Sequence, residues 1–341
     1  MNKDTLPPEP WSRRRFVTTV VHGAALASAG ALTGRPALAA TGNDFAYDVS
    51  RFSKTDPKLI AWEEVSRRTC PVREARRIAF GPGDVLHVAA GNEIVRLSPD
   101  GNTSRFELGA AVFCVAVAGD GTIHAGLRDH IQVLDARGNR RAAWEAQPKR
   151  SWFSGLAVGE NDVFAADAGN RVVVRYDRSG KVLGRIGAKD AARNIPGLIV
   201  PSPYLDVDIH PDGLLRVTNP GRHRFEAYTF DGDFEAAWGT ASAAITGFCG
   251  CCNPIALAVL PDGRIITGEK GLARAKVFRA DGTFESVVAG PESFAAGTKP
   301  ASEPGDGMRG GLDAAVDSRG RIHLLDRATA EIRILQPRAR A

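Results

Sequence analysis

The stretch GPGDVLHVAAGNEIVRLSPDGN, residues 81–102, places two short apolar runs between turns that contain glycine. Runs of this length, bounded by Pro-Gly-Asp and Pro-Asp-Gly turns, are typical of strands. Related units recur along the chain, among them AGDGTIHAGLRDHIQVLDARGN at 118–139 and LPDGRIITGEKGLARAKVFRADGT at 260–283. The sequence therefore predicts an all-β fold built from repeats.

Six such units are present, and each begins with a turn. The six turns lie at Gly83, Gly121, Asn161, Gly213, Gly263 and Gly320. Their spacing grows from about 40 to more than 50 residues, and units of this length with four strands each indicate a β-propeller. The sixth unit has no outer strand after Leu335, whereas KLIAWEEV at 58–65 is a strand without a partner. We therefore expect a six-bladed β-propeller over residues 58–337, whose N-terminal strand closes the last blade.

The N-terminal residues resemble a twin-arginine export signal. SRRRFV at 12–17 precedes a Gly/Ala-rich stretch that ends in ALA at 37–39, a pattern typical of a cleaved leader. Glycines and Pro36 interrupt the stretch, which leaves it short of the ~20 apolar residues of a membrane span. We predict a leader over 1–39, an extension over 40–57 and a tail over 338–341. The mature protein is then periplasmic and has no stable membrane span.

The charge of the chain is partly a property of this leader. The formal net charge is +5, and residues 1–39 hold five basic and two acidic side chains, so +2 remains for the rest. Short basic runs elsewhere are not accompanied by a platform of aromatic residues on which bases could stack. We therefore expect no nucleic-acid partner.

One unit resembles the NHL repeat family. In VFAADAGNRVVVRYDRSGKVLGRIG, residues 163–187, the resemblance rests on Asp167, Asn170, Arg171 and Gly180. Later units match the pattern less closely. The resemblance implies a propeller but no single chemistry, because NHL-like propellers include lyases, scaffolds, receptors and nucleic-acid binders.

A second element, Gly-Cys-Cys-Asn-Pro at 250–254, is similar to one in exported bacterial NHL-like proteins. LPDGR at 260–264 and EKG at 269–271 follow it, as in that group. The resemblance implies a specialised site on one face of the propeller. Within the element, Asn253 is a candidate residue for binding a ligand or partner, and in any case Asn253 and Pro254 end the loop and set the entry into the next strand.

Propeller topology sorts the loops by face. If the four strands of a blade are named A to D from the channel outward, the A–B and C–D turns share the lower face. The B–C loops and the D–A loops between blades then share the upper face. The D–A loops lengthen along the chain, at 186–204, 239–254 and 289–311. Long loops on one face of a rigid scaffold are where sites are usually built.

Polar residues are predicted to meet at the upper mouth of the channel. Near the starts of the A strands the aligned residues are Arg77, Cys114, Gly155, Asp206, Ala256 and Asp313. The B–C loops add Asp167, Asn219, Glu269 and Asp326. An oxygen-rich ring with one arginine would suit Ca²⁺ or a polar ligand. The same residue types also hydrogen-bond to their own turns, and the sequence leaves both interpretations open.

The cysteines allow three interpretations. Cys70 precedes blade 1 as Cys249 precedes blade 5, so with Cys251 and Cys252 four thiolates could converge, a set that binds zinc or an iron–sulfur cluster. The regular Cys-x-x-Cys pairs of such sites are absent from the sequence. In an oxidising periplasm the same residues could instead form disulfides, Cys70 with Cys249 and Cys251 with Cys252. The third interpretation is that they are free or reactive thiols.

Two functions follow from this pattern. We expect a non-catalytic module that binds a periplasmic protein or a small ligand at its cysteine-bearing mouth, within an exported redox pathway. The alternative is a metal-dependent lactonase or related hydrolase, like other six-bladed propellers, in which Asp206, Asp313, Asn219 and Glu269 hold the ion. No Ser-His-Asp arrangement can be placed, and this is a point against the hydrolase. The sequence by itself does not decide whether the protein is an enzyme.

Overall fold

The computed structural model describes residues 50–72, 74–294 and 310–339 of the 341-residue chain. The predicted leader and most of the predicted extension lie outside the described residues. Within the described part, twenty-four strands form six four-stranded antiparallel sheets. The inner strand of each sheet contacts the inner strands of its two neighbours, which closes a ring. This arrangement confirms the predicted six-bladed β-propeller.

The strands are numbered in chain order, beginning with β1 (Trp62–Thr69). Blade 1 contains β2 (Ala75–Gly81), β3 (Val85–Ala90), β4 (Glu93–Leu97) and β5 (Thr103–Glu107). Blade 2 contains β6 (Cys114–Val117), β7 (Ile123–Gly126), β8 (Ile131–Leu134) and β9 (Arg140–Ala143). Blade 3 contains β10 (Phe153–Val158), β11 (Asp162–Asp167), β12 (Val172–Asp177) and β13 (Val182–Ile186).

Blade 4 contains β14 (Val207–Ile209), β15 (Leu215–Asn219), β16 (Arg224–Tyr228) and β17 (Phe234–Trp238). Blade 5 contains β18 (Ala256–Val259), β19 (Ile265–Gly268), β20 (Ala275–Phe278) and β21 (Phe284–Ala289). Blade 6 contains β22 (Leu312–Val316), β23 (Ile322–Asp326), β24 (Glu331–Pro337) and β1. Short 3₁₀ helices lie at Ser50–Phe52, Pro57–Leu59, Pro82–Asp84, Pro220–Arg222 and Pro291–Ser293.

The N-terminal strand closes the ring as predicted. β1 pairs antiparallel with β24, from Trp62 opposite Pro337 to Thr69 opposite Glu331. The strand begins four residues later than the predicted start at Lys58, because Pro57–Leu59 form a 3₁₀ turn in which Asp56 accepts a hydrogen bond from the Lys58 backbone. Pairing with β1 leaves β24 without a free edge, and this removes a surface that would otherwise pair with another chain.

The recurring glycine of the C–D turn has a packing role. Gly180 and Gly282 have positive φ angles of 95° and 79°. A Cβ atom at Gly180 would lie 2.5 Å from the ring of Trp144, and one at Gly282 would overlap the ring of Trp238. Each of these two turns therefore lies directly on an aromatic ring of the preceding blade, which explains why glycine recurs in the C–D turn.

The antiparallel order within each sheet fixes the two faces. The A–B and C–D turns lie on the lower face, and the B–C loops and D–A loops lie on the upper face. Among the described residues, no helix has the length and apolar character needed to cross a lipid bilayer.

Candidate functional site at the upper mouth of the channel

Arg77 lies at the centre of the ring of inner strands and is 6% exposed. Its Nη1 donates to Asp206 Oδ2 at 2.8 Å and to Asp313 Oδ1 at 2.6 Å. Its Nε donates to the carbonyl of Ser154 at 2.8 Å, and its Nη2 donates to the carbonyl of Ile255 at 3.1 Å. One side chain of blade 1 thus contacts residues at the inner strands of blades 3, 4, 5 and 6.

The two carboxylates of this ring are also held by the backbone. Asp206 Oδ2 accepts a hydrogen bond from the Leu257 amide at 2.9 Å, and Asp313 Oδ2 accepts one from the Ile78 amide at 2.8 Å. Burial raises the pKa of Asp206 to about 7, although attraction to Arg77 opposes this. Burial by itself would lower the pKa of Arg77, but its attraction to the two carboxylates raises it above its usual range. The guanidinium of Arg77 therefore occupies the place between the carboxylates where Ca²⁺ was one of the predicted ligands.

Below Arg77 the channel widens into a cavity of ≈ 260 Å³ lined by the six inner strands. Asp208 reaches this wall, and burial raises its pKa to about 6. Its two oxygens accept hydrogen bonds from the Ile209 and Val259 amides at 2.8 and 2.9 Å. Its carboxylate thus links the inner strands of blades 4 and 5.

Two of the predicted B–C loop residues brace their own turns. Asp167 Oδ1 accepts hydrogen bonds from the amides of Trp152 and Asn170, and its Oδ2 accepts one from the Asn170 side chain at 2.7 Å. Asp326 Oδ1 accepts a hydrogen bond from the Ala328 amide at 2.9 Å. Both are buried, and these contacts are those of turn residues that stabilise the backbone.

Asn219 connects a long D–A loop to blade 4. Its Oδ1 accepts a hydrogen bond from the Ile199 amide at 2.9 Å, and its Nδ2 donates to Glu226 Oε1 at 2.9 Å. Asn219 is fully buried. It therefore anchors the loop that carries residues 186–204 against the sheet.

Glu269 forms a buried ion cluster with two cations of blade 5. Its carboxylate is bound by Arg274 through two hydrogen bonds of 3.0 and 2.8 Å and lies 2.9 Å from Lys276 Nζ. The ammonium also lies 4.0 Å from the centroid of the Phe248 ring, and burial lowers the pKa of Lys276 to about 8. The two cations donate further to carbonyl groups of the loop over 243–247. This cluster fastens the D–A loop that precedes the cysteines.

The structure separates the four cysteines of the predicted set into two places. Cys70 is buried in the core between blades 6 and 1, in a cluster that includes Ala330 and Ile332. The other three of the predicted set, Cys249, Cys251 and Cys252, lie on the loop before blade 5. All five described cysteines are free thiols, and the described residues contain no group of three or more His, Cys, Asp or Glu side chains that could hold a metal ion. The predicted four-thiol set and the Cys70–Cys249 bridge are therefore not formed.

Cys251 and Cys252 do meet. Their sulfur atoms are 3.2 Å apart, with Cys251 exposed and Cys252 fully buried. Asn253 fixes the loop that carries them, because its Nδ2 donates to the carbonyls of Cys249 and Lys270 while its Oδ1 accepts the Lys270 amide. The Gly-Cys-Cys-Asn-Pro element is thus tied to the B–C loop of blade 5.

A second cavity lies above Arg77 and opens on the upper face. It encloses ≈ 50 Å³, and Arg77 lines both this cavity and the channel below. The lining side chains are basic or aromatic for the most part, and they come from inner strands and upper-face loops of different blades. They are Arg76, Arg77, Phe113, Trp152, Ser154, Pro203, Tyr204 and Arg327. We call this cavity the mouth pocket.

The mouth pocket holds more positive than negative charge. Arg76 pairs with Glu74, at 2.8 Å, and donates to the carbonyls of Gly91 and Val112. Arg327 lies 4.8 Å from the centroid of the Tyr204 ring, and its buried Nε has no hydrogen-bond partner among the described residues. Burial lowers the pKa of Arg327. Arg327 is only partly exposed and its Nε is buried without a partner, so this cation gains from any anion that enters the pocket.

Arg327 and the aromatic residues of the mouth pocket were not among the site residues predicted from the sequence. The aromatic residues Phe113, Trp152 and Tyr204 lie one, three and two residues before the aligned A-strand positions Cys114, Gly155 and Asp206. An aromatic residue just before an inner strand, repeated in blades 2, 3 and 4, is the signal that would have indicated an upper-face pocket.

Comparison with known proteins supports the propeller fold alone. No family model and no curated protein matches the chain. A structure of streptogramin B lyase aligns with a TM-score of 0.57 and 14% identity over 81% of this chain and 97% of that chain. A catalytically inactive variant of virginiamycin B lyase from Staphylococcus aureus, solved with quinupristin, aligns with a TM-score of 0.56 and 13% identity over 78% and 82%.

A chain of a mitotic checkpoint complex aligns with a TM-score of 0.53 and 10% identity, over 92% of this chain and 99% of that chain. Such distant similarity shows a shared propeller fold and carries no activity across. The resemblance to the NHL family stays a prediction.

Proposed function

We propose that this protein is a non-catalytic binding propeller whose mouth pocket holds the carboxylate or phosphate group of a small ligand. The observation that carries the proposal is the buried Nε of Arg327, which has no partner among the described residues and belongs to a side chain that lines the pocket. An anionic oxygen at this position would satisfy the donor and compensate the charge.

The size of the mouth pocket supports an anionic group rather than a whole large ligand. A cavity needs about 10–15 Å³ to hold one water molecule, so ≈ 50 Å³ accommodates roughly the oxygens of one carboxylate or phosphate. The remainder of the ligand would extend across the upper face. The rings of Trp152 and Tyr204 offer flat surfaces to an apolar or planar part of it.

The location of this function is part of the same proposal. The twin-arginine-like motif at 12–17 supports export, so the ligand or a protein that carries it would be periplasmic. The small net charge outside residues 1–39 supports a discrete ligand rather than a nucleic acid.

The contacts of the predicted ion ligands do not favour the hydrolase alternative. Asp206 and Asp313 are bound by Arg77, and Glu269 is bound by Arg274 and Lys276. To hold an ion, each carboxylate would have to leave a buried cation. A binding role needs no such rearrangement.

The proposal is tested by calorimetric titration of the mature protein with benzoate, phenyl phosphate and neutral benzamide. We expect the two anions to bind and benzamide not to bind. Because a hydrogen bond to a charged group contributes about 1.5–3 kcal/mol, Arg327→Gln should weaken anion binding by about 10- to 100-fold.

The matched control is Arg319→Gln, since Arg319 is exposed on the A–B turn of blade 6 at the lower face. The control should bind the anions as the unchanged protein does. Equal loss in both variants, or equal binding of benzamide, would show that the mouth pocket is not the site.

A further inference from the structure

The pair Cys251 and Cys252 is asymmetric. Cys251 is exposed on the upper face, whereas Cys252 is fully buried beneath it, with 3.2 Å between the sulfur atoms. A disulfide bond is about 2.05 Å long, so the two sulfurs need to approach by only about 1 Å to form one. The Cα atoms of neighbouring residues are about 3.8 Å apart, below the usual range for disulfides, and a bond between such neighbours is readily reduced.

The buried sulfur has a hydrogen-bond donor and a cation behind it. Ser202 Oγ donates to Cys252 Sγ at 3.0 Å, and Lys270 Nζ donates to Ser202 Oγ at 3.4 Å. A hydroxyl polarised by an ammonium stabilises a negative charge on the sulfur to which it donates. The surroundings of Cys252 therefore suit a sulfur that leaves as a thiolate.

We propose that Cys251 and Cys252 form a reversible thiol–disulfide exchange site for a dithiol partner, with Cys251 as the sulfur that is attacked and Cys252 as the leaving sulfur. The structure shows the reduced form. This activity is separate from ligand binding in the mouth pocket.

Starting from the oxidised pair, a thiolate of the partner attacks Cys251 Sγ, and the bond between the two cysteines breaks. Cys252 leaves as a thiolate that accepts the hydrogen bond from Ser202. The second thiolate of the partner then attacks the partner's own sulfur in the mixed disulfide, and Cys251 leaves. The partner loses two electrons and gains a disulfide, while the pair gains two electrons and takes up the two protons of the partner's thiols. A disulfide compound reverses the sequence.

The pKa of the Cys251 thiol agrees with these roles. It is raised first by burial and then by the hydrogen bond to Cys252. A raised pKa makes Cys251 a poor leaving group, whereas Cys252 has a hydrogen-bond donor for its thiolate, so an incoming thiolate breaks the bond by attacking Cys251 and releasing Cys252.

The test equilibrates the mature protein with mixtures of reduced and oxidised glutathione, followed by acid quenching, alkylation and mass spectrometry. Two molecules of reduced glutathione stand for the dithiol partner, and oxidised glutathione stands for the disulfide. We expect Cys251 and Cys252 to lose their reactivity toward the alkylating agent together, with a mass decrease of about 2 Da for the peptide that contains them. Cys249→Ser should retain this transition, and Cys251→Ser and Cys252→Ala should each abolish it.

The role of Ser202 is tested by the rate at which dithiothreitol reduces the oxidised pair. Ser202→Ala should slow the reduction by about 10-fold while the pair still forms, because the leaving thiolate loses its donor. Rates that equal those of the unchanged protein would remove Ser202 from the mechanism. Independent modification of the two cysteines, loss of the transition in Cys249→Ser, or oxidation only to dimers linked through Cys251 would overturn the proposal.

Discussion

Replacing Arg77 by methionine tests whether the ring of polar residues is a structural brace. The substitution keeps much of the side-chain volume and removes the guanidinium that binds Asp206 and Asp313. Because burial raises the pKa of Asp206 to about 7, this carboxylate can take up a proton near neutrality once Arg77 is gone. One buried carboxylate then remains without a countercharge.

Leaving a single buried charge without its partner costs about 3–5 kcal/mol, a large part of the about 5–15 kcal/mol that stabilises a typical domain. We therefore expect Arg77→Met to lower the free energy of unfolding by about 3–5 kcal/mol at pH 7. The assay is urea denaturation followed by tryptophan fluorescence. The double variant Arg77→Met/Asp313→Asn should recover at least about 2 kcal/mol, since it removes the uncompensated charge.

Two results would refute this reasoning. One is a loss smaller than about 1 kcal/mol in Arg77→Met, which would mean that the guanidinium contributes little. The other is a double variant less stable than the single one. If calcium ions raised the unfolding midpoint of the unchanged protein, with Asp206→Asn and Asp313→Asn each removing the effect, the ring would instead be an ion site.

Three further predictions concern stability. Between about pH 4 and 7 folding takes up a proton at Asp206, whose pKa is raised in the folded state, so the free energy of unfolding should fall as the pH rises. Asp206→Asn should reduce this dependence of the unfolding free energy on pH, measured by urea titrations at pH 5 and 7.5. An unchanged dependence would contradict the assignment. Glu269→Gln should cost about 3–5 kcal/mol by leaving Arg274 and Lys276 without their carboxylate, whereas Lys276→Met should cost less in the same denaturation assay. Trp62→Ala should cost about 3–5 kcal/mol by thermal denaturation, because the indole is 2% exposed where β1 closes the ring; a loss below about 1 kcal/mol would show that closure does not depend on it.

The architecture could be predicted because each blade repeats a local pattern of short apolar strands and glycine-containing turns. Turn residues such as Gly180 and Gly282 are required by φ angle and by contact with a ring of the preceding blade, so they recur at a fixed offset in the sequence. The closing strand was predictable from a count of strands, although its first residue depended on the turn at Pro57–Leu59.

The site was less predictable because its contacts join distant parts of the chain. Alignment of the repeats brought Arg77 together with Asp206 and Asp313, but residue types alone could not tell a cation site from a cluster that already has its cation. Arg327 and Tyr204 meet through loops of unequal length on different blades, and no periodicity records that contact. Loop conformation also separates Cys70 from Cys251, which alignment had placed on one rim.

The most direct test of the central claim is a crystal structure of the mature protein soaked with 4-bromobenzoate, in which anomalous scattering locates the bromine. We expect a carboxylate within hydrogen-bonding distance of Arg327 Nε and a bromine atom on the upper face near Trp152 or Tyr204. An empty mouth pocket at saturating ligand, or a bromine signal only in the lower channel or at the outer surface, would contradict the claim that this pocket binds an anionic group.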